Sequence, residues 1–158
     1  MKTILITGAT SGIGLAAAKK LANEKNQLIL CGRRQRKLDE ISEELSKSAN
    51  VLSLCFDVSN KNEVNRLLND LPEQFSSVDV LINNAGNAHG LDTIQDGSLD
   101  DWDNMIDSNV KGLLYVSRVI IPKMIEQKCG HIINIGSLAG REVYEKGNIY
   151  CATKHAVN

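Results

Sequence analysis

Thr7-Gly8-Ala9-Thr10-Ser11-Gly12-Ile13-Gly14 closes the apolar run that begins at Ile4 and opens a segment of helical spacing from Ile13 to Ala22. A strand that passes into a helix through three glycines suits an anionic ligand. Gly8 permits a tight turn, Gly12 lets backbone N–H groups approach a pyrophosphate, and Gly14 lets the helix lie close to the strand. The free N–H groups and dipole of the helix start favour negative charge. Simple strand-to-helix turns also carry glycines, so the weight here comes from the strand before the loop and the helix after it.

Outward from this loop, short apolar runs recur at Leu28 to Cys31, Val51 to Phe56, Val80 to Asn83 and His131 to Ile135. They read as strands buried on both faces, as in a parallel sheet. Lys37 to Leu45, Val64 to Leu71 and the long stretch from Leu99 to Glu126 have helical spacing, while Pro72 to Asp79 and Asn87 to Gly97 read as loops. Alternating strands and helices with right-handed crossovers predict an α/β fold, a doubly wound parallel sheet of Rossmann type. Residues 1–158 are expected to form one dinucleotide-binding and catalytic domain. Tyr150 to Asn158 opens a helical pattern without a C-cap glycine, and a fifth strand would stand as an apolar edge, so the fold is expected to be incomplete at the C-terminus.

The 158 residues are 42% hydrophobic, with 18 basic against 19 acidic side chains and a net charge of -1. That balance gives no field to draw the chain onto nucleic acid or an anionic membrane, and neither partner is expected. The early glycines break the first apolar run too soon for a signal peptide or spanning helix, so the expected location is cytoplasmic. Cys31, Cys55, Cys129 and Cys151 form no CxxC pair, and His89, His131 and His155 show no zinc-type pairing, so no metal is expected. Gly136-Ser137-Leu138-Ala139-Gly140 also lacks the GxSxG spacing of a nucleophile elbow.

The glycine spacing, followed by Asn83-Asn84-Ala85-Gly86, by Ser137 after a strand, and by Tyr150-Cys151-Ala152-Thr153-Lys154, resembles the short-chain dehydrogenase/reductase family in order and approximate spacing. The resemblance runs from Met1 to Asn158. It implies that Gly8, Thr10, Ser11, Gly12, Ile13 and Gly14 hold the cofactor, and that Asn84, Ala85 and Gly86 help form its floor. It also places Asp57 and Val58 beside the adenine; the plainer alternative for Asp57 is a helix cap.

A site for NAD usually sets Asp or Glu at the end of the second strand. Here Leu30-Cys31-Gly32-Arg33-Arg34 offers no carboxylate to repel a 2'-phosphate, and Arg33 or Arg34 can grip one with a planar, charge-assisted fork. NADP(H) is therefore the expected cofactor. Arg33 is placed first because it follows the strand immediately; at least two of Arg33, Arg34, Arg36 and Lys37 serve only the solvated start of a helix.

Hydride transfer between a nicotinamide and an alcohol or ketone moves one proton at the substrate oxygen, which needs a group of tunable acidity. Tyr150 is the candidate. A free phenol, with a pKa of about 10, is only ~0.1% ionised at pH 7, and Lys154 lies four residues on, on the same helix face. Bringing the phenol to about 7 corresponds to ~4 kcal/mol, more than an exposed ammonium provides, so a cationic cofactor and exclusion of water must share the task. By resemblance, Lys154 also bonds the nicotinamide ribose, Ser137 orients the substrate oxygen, and Asn109 holds a water that links the lysine to solvent. Read alone, Asn109 would be a solvent-facing polar residue inside the long helix.

Gly147-Asn148-Ile149-Tyr150 and Met105-Ile106-Asp107-Ser108-Asn109 look most similar to NADP-dependent 3-hydroxy acid dehydrogenases acting on serine and allo-threonine. A 3-oxoacyl-(acyl carrier protein) reductase is the alternative enzyme, and a cofactor-binding or partner-binding fragment without turnover the alternative of another class. The expected partner is a small hydroxy or keto substrate. The resemblance further implies homodimers or homotetramers through the long helix and the Tyr/Lys helix; Leu113, Leu114, Val116, Ile120 and Ile121 suit such a bundle or the core equally.

Overall fold

The strand that precedes the glycine loop is the axis of the molecule. In the computed structural model, which describes residues 1–158, β1 (Lys2–Thr7) pairs in parallel with β2 (Asn26–Gly32) on one side and β4 (Val80–Asn83) on the other. β3 (Asn50–Cys55) lies outside β2 and β5 (His131–Asn134) outside β4, giving the order β3-β2-β1-β4-β5. The chain winds outward from β1 to β3, then returns past β1 to continue at β4. That reversal leaves a crevice at the carboxyl ends of β1 and β4, where open α/β sheets bind ligands.

Side chains alternate across the sheet, so each strand feeds two cores. Leu5 and Ile29 join Val64, Leu68, Val116 and Ile120 on one face, where α3 (Lys61–Asn69) and α5 (Leu113–Glu126) pack. Ile4, Ile6, Leu28 and Leu30 join Ala18, Leu38, Ile41 and Leu45 on the other, against α1 (Gly12–Leu21) and α2 (Gln35–Leu45). Leu38, Ile41 and Leu45 follow the i, i+3, i+7 spacing of an inward helical face, and Val64 and Leu68 the i, i+4 spacing. Complete burial of one such aliphatic side chain stabilises the fold by about 1.5–3 kcal/mol. Asn60 caps α3 by accepting from the N–H groups of Asn62 and Glu63.

Two expectations need correction, at the long helix and at residues 72–79, and two left open are settled at β5 and along α5. The long helix is interrupted: α4 (Leu99–Ile106), capped by Ser98, leads into a π-helical segment at Asp107–Gly112 before α5 begins. The wider turn rotates the side chains that follow relative to a continuous α-helix. β5 is exposed throughout, with Ile132 and Ile133 at 37% and 38%, because no helix packs extensively on it, whereas the other edge strand, β3, is half-buried against α2. Val116 and Ile120 belong to the core, whereas Leu114 and Ile121 are exposed. The stretch 72–79 is not wholly a loop, since Glu73–Phe75 forms a 3-10 turn that buries Phe75. A second 3-10 turn, Leu138–Gly140, precedes α6 (Asn148–Val157), whose Asn158 side chain donates to Gly140 O at 2.7 Å.

Candidate active site

Gly8 adopts a φ of +66°, a left-handed conformation that side chains disfavour, and so turns the chain sharply at the end of β1. At Gly14 the constraint is space: a Cβ there would collide with Asn84 Nδ2 and Gly8 O. The loop and β4 are also joined by hydrogen bonds. Thr7 Oγ1 accepts from Asn84 N and Ala85 N, both at 3.0 Å, and Asn84 Nδ2 donates to Thr7 O at 2.9 Å and Gly8 O at 3.1 Å. Asn83 performs the same service outward, donating to Ser117 Oγ and Asn134 Oδ1 at 3.0 Å each. The floor is thus built from side chains that hold β1, β4 and β5 in register.

Above it runs a cleft of about 590 Å³. The glycine loop contributes Gly8, Thr10, Ser11, Gly12 and Ile13; the end of β2 contributes Arg33 and Arg34; and the end of β3 contributes Asp57 and Val58. Asn84, Ala85 and Gly86 form the floor, and Tyr150 and Lys154 the far end. Gly14, Asn109 and Ser137 do not line it. Gly14 lies beneath the loop, Asn109 supports the wall from behind, and Ser137 caps the 3-10 turn, accepting from Ala139 N at 3.2 Å. Sequence reasoning passed over Gly32, Phe56, Asn87 and Ser108, which do line the cleft. A periodicity count carries no signal for them, because their place depends on the crevice and not on a motif.

The two arginines divide. Arg34 bends back over the glycine loop, donating to Thr10 Oγ1 at 2.7 Å and Ser11 Oγ at 3.0 Å. Arg33 pairs with Asp57 Oδ2 at 3.2 Å across the mouth. Burial alone would raise the Asp57 carboxyl, but hydrogen bonds from the Ser59 backbone and hydroxyl, together with Arg33, hold it below the ordinary carboxylate range. Asp57 is therefore a buttress of the cleft, and the cap of the next helix is Asn60. A fork of guanidinium, two hydroxyls and free loop N–H groups fits a phosphorylated ribose and a pyrophosphate.

At the far end, Lys154 Nζ lies 6.0 Å from the centre of the Tyr150 ring and donates to Ile135 O at 2.9 Å. It is 7% exposed, and desolvation by burial lowers the pKa of its ammonium. Asn109, 2% exposed, is brought inward by the π-helical segment. Its Oδ1 accepts from Asn87 N at 2.8 Å, and its Nδ2 donates to Asn87 O at 2.9 Å and Thr153 Oγ1 at 3.1 Å. Thr153 in turn donates to Tyr150 O at 2.8 Å, so Asn109 ties the β4 loop to the Tyr/Lys helix.

A doubly wound sheet with a glycine-loop cleft ending in a Tyr/Lys pair defines a dinucleotide-dependent class of fold. The short chain dehydrogenase family model matches residues 2–158, and the chain belongs to that family. It is 44% identical over 151 residues to an NADP-dependent 3-hydroxy acid dehydrogenase of Salmonella typhi, covering 96% of this chain and 60% of that protein. A protein of the same description from Schizosaccharomyces pombe is 44% identical over 159 residues, covering 99% and 61%. Among solved structures, the closed form of serine dehydrogenase complexed with NADP+ superposes with a TM-score of 0.92 at 41% identity, covering 98% of this chain and 62% of that one. The chain thus spans about 60% of the length of the curated relatives it matches.

Proposed function

We propose that the protein is an NADP(H)-dependent oxidoreductase that interconverts a small 3-hydroxy acid and its keto acid. The observation that carries this reading is the convergence on one cleft of the glycine loop, the Arg33/Arg34 pair and the Tyr150/Lys154 pair. The bound nicotinamide supplies or accepts the hydride. The chain's own residues supply the rest. Gly8, Gly12 and neighbouring loop N–H groups receive the pyrophosphate, and Arg34 with Ser11, joined by Arg33, receives the 2'-phosphate. Tyr150 Oη takes the proton of the substrate hydroxyl in oxidation and returns it in reduction. Lys154 favours the phenolate by its charge and holds the ribose, while Ser137 orients the substrate oxygen. Asn109 positions Lys154's surroundings through Asn87 and Thr153.

The names of the relatives favour a 3-hydroxy acid over an acyl-carrier-bound substrate. The test is NADP+ reduction by the full-length protein with serine, allo-threonine and simple 3-hydroxy acids, against 3-oxoacyl thioesters with NADPH. Turnover of the free acids supports the reading. If an intact Tyr150 and Lys154 with bound NADPH turn over no member of either group, the reading fails.

Association of copies fits the exposed apolar side chains Leu114, Ile121 and Ile125 along α5. No helix is long and apolar enough to cross a membrane. A cytoplasmic location is consistent with four free cysteines.

A further inference from the structure

Arg33 follows β2 and Asp57 follows β3, and the two strands run side by side as far as Gly32 and Cys55. Phe56 N then donates to Gly32 O at 2.9 Å, so the two side chains rise from adjacent strand ends. Gly32, Arg33, Phe56, Asp57 and Val58 line one end of the cleft, and Tyr150 and Lys154 line the other. A nicotinamide that meets Tyr150 leaves its adenosine to the end where Arg33 and Asp57 pair.

The two partners are not held alike. Asp57 Oδ1 accepts from Ser59 N at 2.9 Å and from Ser59 Oγ at 2.8 Å, which fixes the carboxylate and leaves Oδ2 for Arg33. Arg33 gives a single N–H, from Nη1 at 3.2 Å, and its side chain is 63% exposed. Arg34, by contrast, bonds Thr10 and Ser11 and stays with the glycine loop. Arg33 is therefore the member that can turn away. An exposed ion pair shifts an equilibrium by about two- to fivefold. A 2'-phosphate outbids it, because a doubly charged acceptor engages both arms of the guanidinium fork.

We propose that the Arg33–Asp57 pair is a latch that selects against NAD(H): Asp57 competes with the nucleotide for Arg33, and only a 2'-phosphate gives Arg33 a better partner. The proposal rests on the reading of the cleft as an NADP(H) site. Any dinucleotide that fills the adenosine end opens the pair. With NADP(H) the phosphate contact offsets that loss. With NAD(H) the ribose hydroxyls carry no charge, and the ion pair is broken without replacement. Arg33 thus disfavours one nucleotide as well as attracting the other, and Asp57 is the specificity residue that makes it do so. An arginine that acted only on the phosphate would leave NAD(H) binding unchanged, or aid it through attraction for the pyrophosphate.

The test uses the full-length protein and measures NADH and NADPH dissociation constants by calorimetry for wild type, Arg33→Met, Asp57→Asn and the double variant. Asp57→Asn keeps an acceptor for Ser59 while removing the charge. Arg33→Met is expected to weaken NADPH about tenfold or more and to tighten NADH about two- to fivefold. In the Asp57→Asn background the same change is expected to bring no gain for NADH, since no pair remains to be opened. Should Asp57→Asn not fold, salt takes its place: screening weakens an exposed pair, so the NADH advantage of Arg33→Met over wild type shrinks from low to high salt. NADH affinity unchanged or lowered by Arg33→Met overturns the latch. So does a gain of equal size in both backgrounds, an advantage independent of salt, or NADPH affinity unchanged by Arg33→Met. A wild type that binds NADPH no more tightly than NADH would instead overturn the NADP(H) reading, and the NADH comparison would still decide the latch.

Discussion

Lys154 Nζ stands 6.0 Å from the centre of the Tyr150 ring while its hydrogen bond is spent on Ile135 O at 2.9 Å, at the end of β5. The ammonium is thus held by the sheet and not by the phenol. Its charge acts on Tyr150 from a fixed position, and two N–H donors remain for ligand and solvent. Helix spacing sets the pair side by side, and the strand end decides which way the lysine points.

On the proposed chemistry, removal of the phenolic oxygen leaves that arrangement intact but takes away the proton carrier. Tyr150→Phe is expected to lower kcat by about 10³-fold with little change in NADPH affinity, measured by turnover and by fluorescence titration of the cofactor. Unchanged turnover would remove Tyr150 from the chemistry.

The division between the arginines predicts unequal losses. Arg34→Ala is expected to weaken NADPH by about 10- to 100-fold and to leave NADH nearly unaffected, since it removes a charge-assisted fork next to Thr10 and Ser11. Arg33→Asp is expected to shift preference toward NADH, and also to set two carboxylates together by replacing the partner of Asp57. Binding isotherms for both nucleotides with both variants check this. No change of preference in either variant counts against NADP(H).

Asn109→Ala removes three hydrogen bonds and leaves the main-chain N–H and C=O of Asn87 without partners. A destabilisation of about 2–4 kcal/mol is expected. Urea unfolding reads it directly, and a loss below about 0.5 kcal/mol would fall within the ordinary range for surface substitutions.

Burial makes stability depend on pH through Lys154. Its folded-state pKa lies below the ordinary value of 10.5, so between the two the unfolded chain binds more protons. Stability contributed by this group therefore rises as pH climbs through that window and is lost as pH falls through the folded pKa. Lys154→Met abolishes this dependence. The difference in unfolding free energy between wild type and variant should move in favour of wild type as pH approaches 10.5. A difference independent of pH would contradict the burial of the ammonium.

Gly14→Ala tests the packing of the loop. Its Cβ would meet Asn84 Nδ2 and Gly8 O, two groups already bonded to each other. A loss of about 1–3 kcal/mol is expected, with weaker NADPH binding, both visible in thermal shifts with and without the cofactor.

Local periodicity was enough to place all five strands to within two residues, the helices that cover them and the Tyr150–Lys154 spacing. These features are written in neighbours three or four positions apart, or two apart in a strand, and such patterns survive without knowledge of the fold. What lay across the chain was not legible. Asn109 read alone as a solvent-facing helix residue, yet the π-helical segment buries it against Asn87 and Thr153, 22 and 44 positions away. Sequence order put Arg33 first for the 2'-phosphate, yet Asp57 takes Arg33 and the loop hydroxyls take Arg34, partners each about two dozen residues distant. β5, by contrast, was expected to stand as an apolar edge and does, since burial belongs to what packs on a strand and not to its composition. The sequence alone therefore determined the elements and the Tyr150–Lys154 spacing; the tertiary structure decided which polar groups face one another, since a hydrogen bond or ion pair depends on distances that only packing sets.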